Sequence, residues 1–439
     1  MALKGKGILW KLKSLRLRRK RSPLCTLPSE LIEAVASFLD PIDLCAFRLT
    51  CKTLHEKTYL IFWKTSLRSV ETDVSLDSLG KIQTISINPR LRHYIHHLST
   101  KGFDKTNTIL GEGFQWDRHA SGHLIDLHDH LAVKQLCKIF CQLVNCTSIE
   151  IFSPITEIVV HPLKAFEPTD AIPTMLEVIT QTGHPVTSLT LNFMGWGYSG
   201  PSDPDPRCLR IAHEAQLIAL GAHLENLTLK YTFEHDVVHD WAVDLLHHTR
   251  NLRTLHIESC NDLRGVPLFH RLALSSDMAW PQLRELSLET VRARGDDLTM
   301  VLRKSQQSLR VLSLNCLRII SSKEDLKQIF QVLGTDFPAL QAIHIGPLWS
   351  GPAMRDYVHF PGVSQNPVVD ELQGTRFDFM LNRFEGSDRV SSVIYSGPKM
   401  DVALGIIAEA VDLIVKQPLE EWIRDFRARQ NQESLPTPS

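Results

Sequence analysis

The sequence lacks paired cysteines at metal-ligand spacing. Nine cysteines are present, none as C-x-x-C, and the densest group is Cys137, Cys141 and Cys146. A structural zinc site needs ligands paired at short, regular spacing, so neither a metal nor any other cofactor is expected. An odd count also argues against a fully paired disulfide framework. The thiols read instead as small apolar groups of a soluble, intracellular protein in a reducing compartment. No run of eighteen apolar residues could form a spanning helix, and no secretory signal pattern is present. An excess of one charge is missing as well, since 48 Lys and Arg face 49 Asp and Glu. Neither nucleic acid nor a membrane is therefore expected as a partner of the whole molecule.

What is there is ordinary globular text, 43% hydrophobic and 22% charged, over 439 residues. That is more than one core normally holds, so a small module plus a larger body is expected. One local asymmetry stands out. Residues 1–21 carry nine Lys or Arg and no acid, ending in Arg16-Leu17-Arg18-Arg19-Lys20-Arg21. Such a run suits a nuclear import signal, an Arg-rich targeting presequence or a solvated tail, and the sequence leaves these three open. The expected location is the nucleus, the cytoplasm or both.

From residue 27 the pattern becomes helical. Pro28 suits a first helical turn, where its missing N–H costs nothing. Leu31, Ile32, Val35, Phe38 and Leu39 then follow a 3.6-residue period. Asp40-Pro41 ends that helix and opens the next, with Asp40 as N-cap and Pro41 at the first position. Leu44, Cys45, Phe47 and Leu49 mark the second helix. A third short helix carries Leu54, ahead of Phe62-Trp63. About forty residues bury too little apolar surface to be comfortably stable alone. Such a module is expected to be completed by the rest of the chain or by a partner.

The ordered landmarks Leu27-Pro28, Leu31-Ile32, Val35, Leu39-Asp40-Pro41, Asp43-Leu44, Leu49, Cys51-Lys52 and Phe62-Trp63 resemble the F-box motif, over about a tenth of the chain. The resemblance implies docking to the Skp-type adaptor of cullin–RING ubiquitin ligases. It further implies that Leu27, Pro28, Leu31, Ile32, Val35, Leu39, Pro41 and Leu44 make that contact.

A second pattern, L-x-x-L-x-L with apolar substitutes, recurs seven times. Its instances begin at Cys146, Val186, Leu224, Leu252, Leu283, Leu309 and Leu340, with 26 to 40 residues between successive central positions. The intervening text reads as helices: Ile172, Met175, Leu176 and Ile179 before Gly183; Val237, Val238, Trp241, Ala242, Leu245 and Leu246; and Leu326, Ile329, Phe330 and Leu333. The last is expected to open on a Ser321-x-x-Glu324 capping box and close at Gly334. The unit resembles an irregular leucine-rich repeat, and only Leu252/Leu255/Ile257/Cys260 shows the fuller form. Together the two patterns resemble F-box proteins of the fungal type. A non-repeat α/β domain is the alternative.

The expected fold is thus α/β, an N-terminal all-α F-box followed by an irregular leucine-rich-repeat-like α/β solenoid. The expected divisions are a basic arm (1–23), the F-box (24–68), a linker (69–90), the solenoid (91–348) and a C-terminal irregular segment with capping helices near 402–415 and 419–429. Strand alternation turns Glu150, Phe152, Thr190, Thr228, Lys230, His256, Glu258, Ser287, Glu289, Ser313, Asn315 and His344 outward. All of these but Thr190 and Ser313 are the candidate target-binding residues, and the excess of acids on the face favours a ligand segment with some positive charge.

Three stretches invite catalytic readings. Gly195-Trp-Gly197-Tyr-Ser-Gly200 is a literal G-x-G-x-x-G, but the prolines that follow cannot open the helix a dinucleotide site needs. His235-Asp236-Val-Val-His239-Asp240 imitates the zinc-protease H-E-x-x-H without a third ligand, and so sustains only a remote metal-dependent hydrolase alternative. His119, His123, Asp126, His128 and His130 follow no ligand spacing. No catalytic residue is expected. The expected function is that of a non-enzymatic substrate-recognition subunit of a cullin–RING (SCF-type) ubiquitin ligase, its repeats holding a target protein. An adaptor-bound scaffold without target turnover is the second reading.

Overall fold

In the computed structural model, residues 22–101, 110–153, 166–194, 203–209, 214–259, 266–351, 356–363, 366, 376–384 and 387–414 are described. The chain divides into two compact units, Met1–Arg68 and Ser69–Ser439.

Among its described residues the first unit is built from helices: α1 (Pro23–Thr26), α2 (Ser29–Ala36), α3 (Pro41–Leu49), α4 (Lys52–Lys57) and α5 (Tyr59–Ser66). Asp40 caps α3 as expected, its carboxylate accepting from the Asp43 N–H at 2.7 Å, with Pro41 opening the helix. A capped N-terminus of this kind satisfies one of the orphan donors of the first turn. Ile32, Ala36, Leu44 and Leu54 form the small core. Arg48 is buried with them, donating to the Thr58 carbonyl at 3.0 Å and lying 3.9 Å over the Phe62 ring. A buried guanidinium is tolerable there because an acceptor and an aromatic face receive it.

The second unit is an α/β solenoid. Among the described residues its main sheet holds eleven strands in the order β1-β2-β3-β4-β5-β6-β7-β9-β11-β15-β14. All seven L-x-x-L-x-L instances form strands: β3 (Ser148–Phe152), β4 (Ser188–Asn192), β5 (Asn226–Lys230), β6 (Thr254–Glu258), β7 (Glu285–Glu289), β9 (Val311–Asn315) and β11 (Ala342–Ile345). Neighbours pair in parallel and in unbroken register, so that Ile149, Leu189, Leu227, Leu255, Leu286, Leu312 and Ile343 form one row. Parallel strands need crossovers, and helices supply them: α6 (Leu76–Ile87), α7 (Leu131–Phe140), α8 (Ala171–Thr182), α9 (Pro206–Leu209), α10 (Glu214–Gly221), α11 (Asp236–His248), α12 (Val266–Leu274), α13 (Gly295–Arg303) and α14 (Lys323–Asp336). Successive long helices pack on one another. The inward strand rows and the buried helix stripes make a continuous core.

Residues 69–90 are not a linker. They form β1 (Ser69–Thr72), paired in parallel with β2 (His97–Lys101), and then α6. Both strands keep the apolar central position, Val70 and Leu98, but place Thr72 and Thr100 where the other strands have Ile151 or Leu191. The polar third position hid them from a leucine pattern.

Over its described residues the C-terminal part is more regular than the expected irregular segment. It supplies the long hairpin β14 (Arg376–Phe384) and β15 (Ser387–Ser396), with β15 antiparallel to β11, and α15 (Met400–Ala410), which packs on α14. The expected helix at 402–415 therefore lies at 400–410 and gives way to β16 (Asp412–Ile414), while 419–429 falls outside the described residues. Shorter strands β8 (Arg292–Arg294), β10 (Leu317–Ile320), β12 (Leu348–Ser350), β13 (Asp356–His359) and β16 make a second sheet, in the order β16-β13-β12-β10-β8. Thr290 and Cys316, each following a main-sheet strand, turn the chain toward it with left-handed φ of 56° and 53°.

Two helix ends also differ. The capping box of α14 uses Ser322 and Asp325 rather than Ser321 and Glu324. Gly334 lies inside that helix, not beyond it. A Cβ there would stand 3.4 Å from Leu404 of α15, an ordinary contact distance.

Candidate functional site

In the helical unit the telling feature is what stays outside the core. Leu31, Val35, Phe38, Ile42 and Leu49 are 52%, 43%, 90%, 81% and 85% exposed. So many large apolar groups left in water on one small module indicate a surface meant to be covered. Of the expected contact residues, Pro28, Leu31, Val35 and Pro41 are exposed, and Leu27 and Leu39 are half-buried. Ile32 and Leu44 are 0% exposed. They cannot present a face to a partner and belong to the core, because the apolar residues of α2 and α3 divide between two faces. Phe38, Ile42 and Leu49 are the exposed members that the contact assignment missed. Phe38 and Leu49 stand on the apolar stripes read from the sequence and Ile42 lies beside them, so periodicity alone does not separate them from the core.

In the solenoid, strand alternation holds. All ten candidate residues and their companions Thr190 and Ser313 are half-buried on the face opposite the core. Parallel register brings them into two rows. One runs Glu150, Thr190, Thr228, His256, Ser287, Ser313 and His344; the other runs Phe152, Asn192, Lys230, Glu258, Glu289 and Asn315. Strand β2 adds His97, Ser99 and Lys101 to this face, which reading from the leucine pattern missed along with the strand.

The face carries its own electrostatic order. Glu150 is met by His97 at 3.4 Å and accepts from Ser99 at 3.2 Å, and these contacts hold its carboxyl below the usual range. Glu258 is met by His256 at 3.5 Å and Lys230 at 2.9 Å, which draw its pKa down to about 2. Glu289 accepts from Asn315 at 3.0 Å. Among the described residues, His256, Glu258 and Glu289 are the group whose ligand atoms converge within 4.8 Å. Lys230 already neutralises the shared carboxylate, which disfavours a cation there.

The catalytic imitations come apart. His239 is buried and its Nε2 meets the Phe233 carbonyl at 2.7 Å, burial holding its pKa down. Asp236 and Asp240 both pair with Arg271, and His235 sits at the N-cap of α11. The two histidines therefore do not converge on a metal. In the 119–130 run, His119 and His123 stack on each other, His128 meets Glu177, and His130 caps α7 and stacks on Trp116. The Gly195–Gly200 segment and Cys260 lie outside the described residues.

These features define a small helical module with uncovered apolar residues joined to a parallel α/β leucine-rich-repeat-like solenoid. Residues 24–59 match the model of the F-box domain, and the chain carries that domain there. No curated protein matches the chain. Among solved structures, a chain of the Rad7 and Elc1 complex of yeast is similar at 14% identity, over 72% of this chain and 87% of that one, with a TM-score of 0.27.

Proposed function

We propose that this protein is a substrate-recognition subunit of a cullin–RING ubiquitin ligase. The F-box domain at residues 24–59, with its uncovered apolar residues, is the observation that supports this reading. In it, Leu31, Val35, Phe38, Ile42 and Leu49 dock on a Skp-type adaptor, and the polar strand face of the solenoid holds a target protein. The chain itself contributes position rather than catalysis, raising the effective concentration of target beside the transfer machinery. Its place of action is the nucleus, the cytoplasm or both.

Phe38→Asp combined with Ile42→Asp is the test of docking. Both positions are solvent-facing, so the helical content and unfolding midpoint of the full chain should stay as they are. Adaptor capture should fall at least about tenfold, as expected when charges replace a buried apolar anchor. Full capture by that folded variant would remove the reading. Deleting residues 24–68 should lengthen the half-life of a solenoid-bound target; an unchanged half-life would favour the scaffold without target turnover.

A further inference from the structure

Two thiols face each other inside the helical unit. Cys25 Sγ, on α1, and Cys51 Sγ, at the start of α4, lie 3.5 Å apart, and both residues are half-buried rather than sealed from solvent. Each is held in position. Lys57 donates to the Cys25 carbonyl at 3.2 Å and also to the Leu27 carbonyl, pinning the end of α1. Cys51 accepts from the Leu54 N–H at 3.5 Å. That donor and the neighbouring Cys25 thiol favour the charged form of Cys51 and lower its pKa. The contrast within the chain is sharp. Cys146 and Cys208 are buried, and burial pushes both thiols up, Cys146 to about 12. Reactive thiols combine thiolate character with access, and inert ones lack both.

We infer that Cys25 and Cys51 are a peroxide-reactive pair that closes to a reversible disulfide within the F-box. The Cys51 thiolate attacks one oxygen of hydrogen peroxide; the O–O bond breaks and the departing hydroxide takes up a proton as water. This leaves a sulfenic acid on Cys51. The Cys25 thiolate then attacks that sulfur, the S–O bond breaks, and the second hydroxide leaves as water after protonation. Two thiols are thereby oxidised by two electrons, and one peroxide is reduced to two waters. The sulfurs must approach by about 1.5 Å to bond, a displacement within reach of side-chain torsions and of the four-residue α1. The bridge joins residues 26 positions apart and encloses α2 and α3, so it acts on the segment that carries Leu31, Val35, Phe38 and Ile42. It forms whether or not an adaptor binds.

The full-length protein, titrated with hydrogen peroxide, alkylated and mapped by peptide mass spectrometry, provides the test. The expected product is a Cys25–Cys51 linked peptide that dithiothreitol removes, appearing at lower peroxide than any oxidation of Cys146 or Cys208. In Cys25→Ser, sulfenic acid should accumulate on Cys51 several-fold above wild type, captured with a dione reagent. In Cys51→Ser, Cys25 should remain fully alkylatable. Persistence of both wild-type thiols at peroxide levels that oxidise the exposed Cys45 and Cys141 overturns the inference, as does linkage of Cys51 to Cys45. The wild-type linkage map decides the matter even if a serine variant fails to fold.

Discussion

Glu258 illustrates how much a single side chain on the strand face owes to its neighbours. With His256 and Lys230 beside it, its pKa falls to about 2, below the ordinary carboxylate value near about 4.3. A depressed folded-state pKa stabilises the fold at pH values above the unfolded-state pKa, and that contribution is lost as pH falls through the folded value. Glu258→Gln removes it at every pH. The gap in urea midpoint between wild type and variant should therefore be widest near pH 7 and close between about pH 4.5 and pH 2. A gap that stays constant across that window would mean the His256 and Lys230 contacts do not hold the charge. At the same scale, Ile32 and Leu31 are chain neighbours with opposite fates, one at 0% and the other at 52% exposure. Their identities are equally apolar; only the packing of α2 against the rest of the module separates them.

Among elements, α14 carries the clearest sign test. Gly334 stands mid-helix where it costs roughly 1 kcal/mol relative to alanine, and the nearest atom to an added Cβ is Leu404 at 3.4 Å. That is ordinary contact, so Gly334→Ala should raise stability by about 0.5–1 kcal/mol. Gly334→Leu has no room against α15 and should lower it by about 1–3 kcal/mol through overpacking. Thermal unfolding of the two variants side by side checks both signs. The strands tell a related story. Seven announced themselves by two inward leucines or isoleucines, whereas β1 and β2 end their inward row on Thr72 and Thr100, both buried. The C-terminal hairpin escaped for a similar reason, since β15 buries Ser391 and Ser392 between its apolar residues. Burial of a small hydroxyl is a decision of the neighbouring strand, and no periodicity records it.

For the molecule as a whole, the division at Arg68 and Ser69 sets what can be removed. A chain lacking residues 1–68 keeps all eleven strands of the main sheet and should retain its solenoid unfolding midpoint. Removal of residues 1–94 takes β1 and α6 as well. That uncovers the edge of β2 and the face of α7 that packs on α6, and a repeat array stripped of its end is expected to aggregate. Size-exclusion chromatography of the two truncations distinguishes them, and a monodisperse second truncation would refute a structural role for the first strand–helix unit.

The sequence by itself determined the elements that depend on local chemistry. The capped start of α3 at Asp40-Pro41, the seven leucine-marked strands and the outward set from Glu150 to His344 all follow from hydrogen-bonding groups or a two-residue period within a few positions. The F-box landmarks belong to the same class, a short ordered text that marks residues 24–59. What only the tertiary structure decided depends on contacts between residues distant in the chain. It chose which apolar residues of α2 and α3 became core and which stayed in water, admitted threonine and serine into the sheet interior, and aligned the outward residues into rows across strands. It also brought Cys25 to 3.5 Å from Cys51. Helix and strand preferences are read from neighbours along the chain, whereas exclusion of water and the meeting of two side chains are properties of the packed whole.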